Sequence, residues 1–241
     1  MRADDKEFMS TLAKGLAVLG AFDKHRPAMT LSQAASLTGV SRATARRILH
    51  TLTKLGYVVQ NGRQFSLSSS ILGLGFAYLA TQHWIEQAMP RMRQVSEEFQ
   101  ESCSAAILQN AEVVYVARIP ARRIMSVSIA VGSRLPAFHT AIGRAQLGFL
   151  DEAEIWRRLK SVRIEPWTPA TITDLSALFA RVRDDRMQGF SLVDEELERG
   201  LRAIAALNVS THSTRTTRNE MRARFLPRLK AVAGQISQTL I

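Results

Sequence analysis

Residues 30–67 read TLSQAASLTGVSRATARRILHTLTKLGYVVQNGRQFSL, and this stretch decides the fold of the first third of the chain. Thr30 and Gln33 have the spacing of a capping box, which predicts that a helix begins at this point. Ser41 is the predicted cap of a second helix, which runs to Leu55. Two short capped helices with a glycine-containing turn between them predict a helix-turn-helix.

The second helix has one apolar face and one basic face. Its apolar stripe consists of Ala45, Ile48, Leu49, Leu52 and Leu55. The opposite face carries Arg42, Arg46, Arg47 and His50 and no carboxylate. An ordinary solvated face is the alternative interpretation, but such faces usually mix charges of both signs. The pattern favours a recognition helix in the major groove of DNA, with Ser41 and Thr44 in its first turn as candidate phosphate ligands.

A predicted β-hairpin follows the second helix. Asn61-Gly62 stands between two short runs that contain apolar residues, which predicts a type I′ turn. A hairpin after a recognition helix is a wing, and Arg63 at its tip is placed to reach a phosphate or the minor groove. The predicted DNA-binding residues are therefore Ser41, Arg42, Thr44, Arg46, Arg47, His50 and Arg63.

The net charge indicates a polyanionic partner. The chain of 241 residues has 32 Lys and Arg against 21 Asp and Glu, which gives +11 at pH 7. Residues 1–80 contribute +6 of this excess, and residues 24–80 contain no acidic residue. A single cysteine, Cys103, excludes a disulfide framework. The polar N-terminus and the short apolar runs predict a cytoplasmic protein with no signal peptide and no membrane contact.

No motif for catalysis, metal binding or cofactor binding is present. The chain lacks a Walker loop, a G-x-S-x-G elbow, an H-E-x-x-H pair and a dinucleotide fingerprint, and its five histidines lack metal-ligand spacing. We therefore expect no enzyme activity, no metal and no cofactor. The alternative is an enzyme fused to a DNA-binding module, with Cys103 or the acidic cluster at 194–198 as its reactive groups.

Beyond residue 86 the pattern changes to strands mixed with helices. Three segments rich in Val, Ile, Ala and Tyr predict strands at 103–108, 113–119 and 124–131. On the third segment small residues alternate with large ones, so its small face is either the floor of a ligand cavity or a surface under a tightly packed helix. The predicted division is a winged helix-turn-helix over residues 1–68, a linker helix over 69–86 and an effector-binding and oligomerisation domain over 87–241.

A candidate anion site lies in this second domain. Thr140 is a predicted N-cap, and the N-terminus of a helix binds anions through its free N–H groups. Arg134 is near in sequence, so the two together suggest a carboxylate pocket. An ordinary capped helix with a surface arginine is the alternative interpretation.

Segments along nearly the whole chain carry a family resemblance. They include SRATARR at 41–47, LGY at 55–57, VGSRLPA at 131–137, GRA at 143–145 and ALNVS at 206–210. Together they resemble the IclR family of bacterial transcriptional regulators. RIMSV at 123–127 and RLPA at 134–137 are most similar to the PcaR/PobR-type subgroup, which controls aromatic-acid catabolism.

The resemblance implies an α+β protein with a winged helix-turn-helix, a linker helix and a GAF-like α/β effector domain, assembled as a homodimer or homotetramer. It implies that a small organic acid, here an aromatic carboxylate such as protocatechuate or 4-hydroxybenzoate, modulates binding to a double-stranded DNA operator. Carried over by position, the effector site consists of Arg134, Ala141, Gly143, Asp194, Ala203, Asn208 and Ser210. The alternative is a constitutive architectural DNA-binding protein whose second domain only oligomerises.

One segment departs from the family pattern. Family members usually have a strand and a turn between the segments that correspond to 200–205 and 206–210, which are adjacent here. Either the chain lacks this hairpin or the sequence omits a stretch. We expect a true deletion to remove a strand from the pocket wall, which puts Asn208 and Ser210 in question as effector ligands.

Overall fold

The capped helices predicted from the sequence are present in the protein. The computed structural model describes residues 7–121, 129–205 and 207–238. Thr30 Oγ1 accepts a hydrogen bond from the Gln33 N–H at 3.3 Å, and the Gln33 side chain accepts one from the Thr30 N–H at 2.8 Å. Ser41 Oγ accepts from the Thr44 N–H at 3.2 Å. Both helices therefore begin where a side chain satisfies a free N–H group of the first turn.

The chain divides into two units, residues 1–81 and 82–241. The elements of the first unit are α1 (Ser10–Gly20), β1 (Ala28–Thr30), α2 (Leu31–Thr38), α3 (Arg42–Lys54), β2 (Val58–Asn61), β3 (Gln64–Leu67) and α4 (Ser70–Ala80). Its strands form an antiparallel sheet in the order β1-β3-β2. Helices α2 and α3 with the β2–β3 hairpin confirm the predicted winged helix-turn-helix.

Two details of the wing differ from the expectation. Asn61 pairs with Gln64, so the two-residue loop is Gly62-Arg63 and not Asn61-Gly62. Of the two loop residues only Gly62 has a positive φ, 58°, whereas a type I′ turn needs a positive φ at both positions. The predicted turn type is therefore wrong, although Arg63 does lie at the tip. The sequence analysis also missed β1, which completes the sheet by pairing with β3.

The core of the first unit joins its helices to the sheet. Val18 of α1, Met29 of β1 and Leu49 of α3 are buried together. Leu55, assigned to the apolar stripe of α3 by the sequence pattern, is 63% exposed because the helix ends at Lys54. Burial of the other stripe residues leaves the basic face of α3 on the surface.

The second unit has its own sheet and helices. Its elements are α5 (His83–Phe99), β4 (Ser102–Gln109), β5 (Glu112–Ile119), β6 (Arg134–Pro136), α6 (Ala141–Leu147), α7 (Glu152–Lys160), α8 (Leu175–Gln188), β7 (Ser191–Asp194), β8 (Leu201–Ala205), β9 (Asn208–His212), α9 (Arg218–Glu220) and α10 (Leu226–Gln238), with a 3-10 turn at Ala137–His139 and a π-helical turn at Met221–Phe225. The predicted linker range, 69–86, contains α4 and the first turn of α5, and the border between the two units lies inside it.

The strands of this unit form one antiparallel sheet in the order β6-β5-β4-β9-β8-β7. α6 contacts β4, β5, β7 and β8, and a buried apolar cluster joins it to α7, α8 and the sheet through residues such as Tyr115, Phe138 and Leu178. α5 contacts β4 and β5. The predicted α+β class is confirmed. None of the helices in the described part of the chain has the length and apolar character needed to span a bilayer.

Two expectations about the sheet concern residues 124–131 and the connection at 205–206. The predicted strand at 124–131 falls mostly on residues 122–128, outside the described part, and 129–131 are not in a strand. The expectation that a deletion at 205–206 removes a strand from the pocket wall stays a prediction, but β8 and β9 are paired and both contribute to the cavity wall. Ala205 of β8 pairs with Asn208 of β9, because two residues are enough to connect antiparallel neighbours.

Candidate functional site

A groove on the first unit lies between α3, the start of α2 and the wing. Its lining consists of Thr30, Leu31, Ser32, Arg42, Arg46, His50, Gln60, Gly62, Arg63 and Phe65. Arg42, Arg46 and His50 share one face of α3 because they are spaced four residues apart. Four of the predicted DNA-binding residues, these three and Arg63, are therefore brought to one groove.

The cations of this groove have no neutralising partner in the described part of the chain. Among the described residues, no carboxylate forms an ion pair with Arg42, Arg46 or Arg63. Arg26, elsewhere in the same unit, is in contrast paired with Asp23. A guanidinium without an intramolecular partner keeps its donors available for phosphate oxygens or a guanine edge.

The other predicted DNA-binding residues have different surroundings. The Ser41 and Thr44 hydroxyl oxygens lie 2.9 Å apart, and Ser41 Oγ also accepts the Thr44 N–H, so Ser41 caps α3 and the Thr44 hydroxyl contacts the cap. Arg47 is exposed but is not part of the groove lining, because it lies one residue beyond Arg46 on the helix.

A small cavity of about 20 Å³ lies in the second unit, between the start of α6 and strands β5, β8 and β9. Its lining consists of Tyr115, Ile129, Leu135, His139, Thr140, Ala141, Val193, Leu197, Leu201, Ala203, Asn208 and Ser210. Small-molecule pockets are typically clefts of roughly 300–1,000 Å³ with mostly apolar walls and a few polar groups. The cavity has this composition, but its volume is that of about one water, so a small ligand requires its walls to move apart.

The polar groups of the cavity are neutral. Asn208 Nδ2 donates to Ser210 Oγ at 3.3 Å, and both side chains are buried. The Tyr115 hydroxyl has no hydrogen-bond partner among the described residues, and burial raises the pKa of Tyr115 to about 12. His139 Nε2 lies 2.8 Å from the Ile172 carbonyl oxygen, and burial lowers the pKa of His139, which favours the neutral imidazole. These groups can hydrogen-bond a ligand but supply no cation.

A buried ion cluster holds the loop beside the cavity. Arg144 of α6 is 0% exposed and contacts Glu196 at 2.9 Å and Asp185 of α8 at 3.1 Å. Its guanidinium also donates to the Leu192 carbonyl oxygen at 2.7 Å. Glu196 precedes Leu197, which lines the cavity, so this cluster fixes one wall relative to α6.

Family models cover most of the chain. The model described as the IclR helix-turn-helix domain matches residues 11–62, and the model described as the C-terminal part of the bacterial transcriptional regulator IclR matches residues 76–238. The chain belongs to the IclR family. It is therefore a DNA-binding transcriptional regulator with an effector domain and not an enzyme, as the sequence analysis predicts.

Individual relatives of this IclR-family chain extend over most of its length. The Pca regulon regulatory protein of Pseudomonas putida is 39% identical to it, over 98% of this chain and 86% of the relative. A crystal structure of a putative transcriptional regulator from Rhodococcus sp. RHA1 is 38% identical, with a TM-score of 0.79 over 96% of this chain and 98% of that one. The PobR inducer-binding domain from Acinetobacter, a double mutant in complex with 3-hydroxybenzoic acid, is 26% identical, with a TM-score of 0.58 over 63% and 96% of the two chains.

The effector residues carried over from the IclR family fall into two groups. The residues that line the cavity are Ala141, Ala203, Asn208 and Ser210. Asp194 is not part of the lining and instead pairs with Arg202 at 2.6 Å and with Arg218. Gly143 packs against the turn before α6, where a Cβ would lie 2.3 Å from the Ala137 carbonyl oxygen, so the close approach of two backbones explains this glycine.

Arg134 is also outside the cavity. It is exposed on β6, and its Nη1 donates to Glu112 Oε2 at 2.9 Å. Thr140 does cap α6, because its Oγ1 accepts the Gly143 N–H at 3.2 Å. The alternative interpretation of this segment, an ordinary capped helix with a surface arginine, describes the observed geometry.

Sequence reasoning missed most of the cavity wall. Tyr115 was recognised only as part of a strand, and His139, Leu197 and Leu201 gave no signal of their own. Thr140 was recognised as a helix cap but not as a lining residue. The alternation of residues along the strand could have predicted that Tyr115 faces the interior, because Val113 and Tyr115 point to the same face and both are buried.

Proposed function

We propose that this regulator binds an operator sequence specifically and that a small aromatic carboxylic acid in the cavity of the second unit modulates this binding. The observation that carries the proposal is the cavity itself, whose mostly apolar lining includes the polar residues Tyr115, Asn208 and Ser210. Apolar walls suit an aromatic ring, and the polar groups suit its oxygen substituents. The Pca regulon relative and the PobR domain with bound 3-hydroxybenzoic acid support the aromatic-acid class.

On the DNA side, α3 enters the major groove. Arg42, Arg46 and His50 reach base edges or phosphates from the groove face of the helix, and Arg63 of the wing contacts the neighbouring backbone or minor groove. Ser41 and Thr44 in the first turn of α3 contact a phosphate, and Arg47 contacts a phosphate at the side of the helix. In this proposal residues 1–68 bind DNA, 69–86 link, and 87–241 bind the effector and oligomerise.

The active species is a homodimer or a homotetramer. Leu72 and Phe76 on α4 are 73% and 71% exposed, and Leu16 on α1 is 60% exposed. Exposed apolar surface of this kind is costly in water unless a second copy covers it. Effector binding then changes the relative population of two arrangements of the recognition helices.

The test of DNA recognition is fluorescence anisotropy of the full-length protein with the duplex upstream of its own gene and with a scrambled duplex. We expect at least a tenfold preference for the natural duplex at several salt concentrations. Equal affinities for both duplexes would leave only a basic surface and favour the architectural alternative.

The test of effector binding is calorimetric titration with 4-hydroxybenzoate and protocatechuate. We expect saturable binding of at least one acid, with one site per chain. A regulator that binds its operator but neither acid would keep its family function and lose the aromatic-acid proposal. Turnover of either acid during the incubation would instead revive the enzyme alternative.

A further inference from the structure

An aromatic carboxylate needs a cation in its site, and the arginine expected from the sequence does not supply one. Arg134 is exposed and donates to Glu112 and Gln109. Burying a carboxylate without a compensating charge is unfavourable, so a site for such a ligand requires another positive group. This inference rests on the effector function proposed above and concerns the same cavity.

The strand register places a different arginine on the cavity side of the sheet. Ser104 of β4 is directly opposite Asn208 of β9 on one side and opposite Arg118 of β5 on the other. Directly opposed residues of neighbouring strands point to the same face. Because Asn208 lines the cavity, Ser104 and Arg118 lie on the cavity face of the sheet, next to the lining and not within it. Ser102 belongs to the same row, since it is opposite Ser210.

Arg118 is half-buried, and its hydrogen-bond partners among the described residues are neutral. Its Nη1 donates to Ser104 Oγ and its Nη2 to Ser102 Oγ, both at 3.2 Å. Within the described ranges no carboxylate pairs with it. Burial lowers the pKa of Arg118, and the guanidinium still stays charged at neutral pH. Hydrogen bonds between a guanidinium and a carboxylate are shorter, at roughly 2.7–2.9 Å, so the present contacts leave this cation weakly compensated.

Two other arginines of the same unit, Arg144 and Arg202, are paired with carboxylates. Arg144 contacts two carboxylates, and Arg202 is held by Asp194 at 2.6 Å. Removal of a guanidinium from water is normally offset by such a partner. Arg118 is the contrasting case, because its two serine partners orient the planar group without neutralising it.

We propose that Arg118 anchors the carboxylate of the effector. Ser102 and Ser104 hold the guanidinium on the cavity face of the sheet, where its N–H groups form paired hydrogen bonds to the two carboxylate oxygens. The Tyr115 hydroxyl, three residues before Arg118 on β5, donates a further hydrogen bond to the ligand from the cavity wall. Arg134 has no part in the binding.

The experiment compares an acid with its neutral counterpart. Full-length wild type, Arg118→Gln, Arg118→Lys and the control Arg134→Gln are titrated calorimetrically with 4-hydroxybenzoate and with 4-hydroxybenzamide. In Arg118→Gln we expect the acid to bind roughly ten- to a hundredfold more weakly, because a hydrogen-bonded charge partner is lost. The amide, which carries no charge, should change less than about threefold. Arg134→Gln should bind both compounds as wild type does.

The outcomes separate this inference from the proposed function. If wild type binds neither acid nor amide, the effector proposal fails and the role of Arg118 fails with it. If wild type prefers the acid and Arg118→Gln keeps that preference, only the role of Arg118 is wrong. If Arg134→Gln loses the preference for the acid over the amide, the carboxylate is bound by Arg134 and not by Arg118.

A second variant keeps the test decisive if Arg118→Gln does not fold. Arg118→Lys retains the positive charge but offers a single ammonium instead of a planar pair of donors. We expect it to bind the acid several-fold more weakly than wild type with unchanged amide binding. Wild-type affinity of Arg118→Lys for the acid would overturn the paired contact that we propose.

Discussion

Arg46 in the groove of the first unit and Arg144 in the effector domain are the same chemical group in opposite surroundings. Arg46 is exposed, and no carboxylate of the described residues pairs with it. Arg144 is 0% exposed and is held by Glu196 and Asp185. This difference shows which arginines are available to a ligand. An arginine that is paired with carboxylates of the protein stabilises the fold. An arginine without such partners can bind an anionic ligand.

The largest effect is expected where a paired charge is removed from the interior. Arg144→Met leaves Glu196 and Asp185 buried without their cation, which should reduce the free energy of unfolding by about 3–5 kcal/mol. Denaturant unfolding followed by tryptophan fluorescence measures this, because Trp84, Trp156 and Trp167 all lie in the second unit.

The matched control for this substitution is Arg183→Met. Arg183 pairs with Glu152, and both side chains are more than half exposed, so the expected loss is below about 1 kcal/mol. Equal losses in Arg144→Met and Arg183→Met would show that burial does not separate the two kinds of arginine.

Gly143, next to Arg144, tests whether this part of α6 is structural. A Cβ at this position would lie 2.3 Å from the Ala137 carbonyl oxygen, so Gly143→Ala should lower the unfolding free energy by about 1–3 kcal/mol. Gly234→Ala in α10 is the control, since nothing lies within 4 Å of the added Cβ. It should leave stability equal or raise it by about 0.5–1 kcal/mol. A stable Gly143→Ala with impaired effector binding would restore the direct ligand role that the family resemblance implies.

In the groove, removal of an unpaired cation should leave stability alone and weaken DNA binding. Arg46→Ala is expected to cost about 1 kcal/mol or more of binding free energy and to reduce the salt dependence by about one ion equivalent if it contacts a phosphate. Arg26→Ala removes the same charge from the same unit but from an ion pair with Asp23. Anisotropy titrations at several salt concentrations that show equal losses for the two variants would contradict the assignment of the groove.

The sequence predicts the first unit well because its signals are local. The capping pairs Thr30–Gln33 and Ser41–Thr44 span three residues each, and the basic face of α3 follows from helical spacing alone. What the sequence missed there is β1, whose strand character depends on pairing with β3 more than thirty residues later.

The cavity was predicted only in part, because its features depend on distant partners. Arg134 was expected to bind the ligand, but Glu112, twenty-two residues earlier, takes its guanidinium. Arg144 and Glu196 are fifty-two residues apart. The availability of Arg118 follows from a register that sets Asn208, Ser104 and Arg118 side by side. These features depend on contacts between residues far apart in the sequence, which periodicity and motifs do not encode.

The most direct test of the account is the coupling between the two sites. The affinity of the full-length protein for its operator duplex is measured by anisotropy at fixed salt, without and with saturating 4-hydroxybenzoate or protocatechuate, and calorimetry verifies occupancy. We predict that one acid changes the operator affinity by at least about fivefold, and that operator DNA changes the affinity for that acid by the same factor. An occupied effector site with unchanged operator affinity would contradict the account.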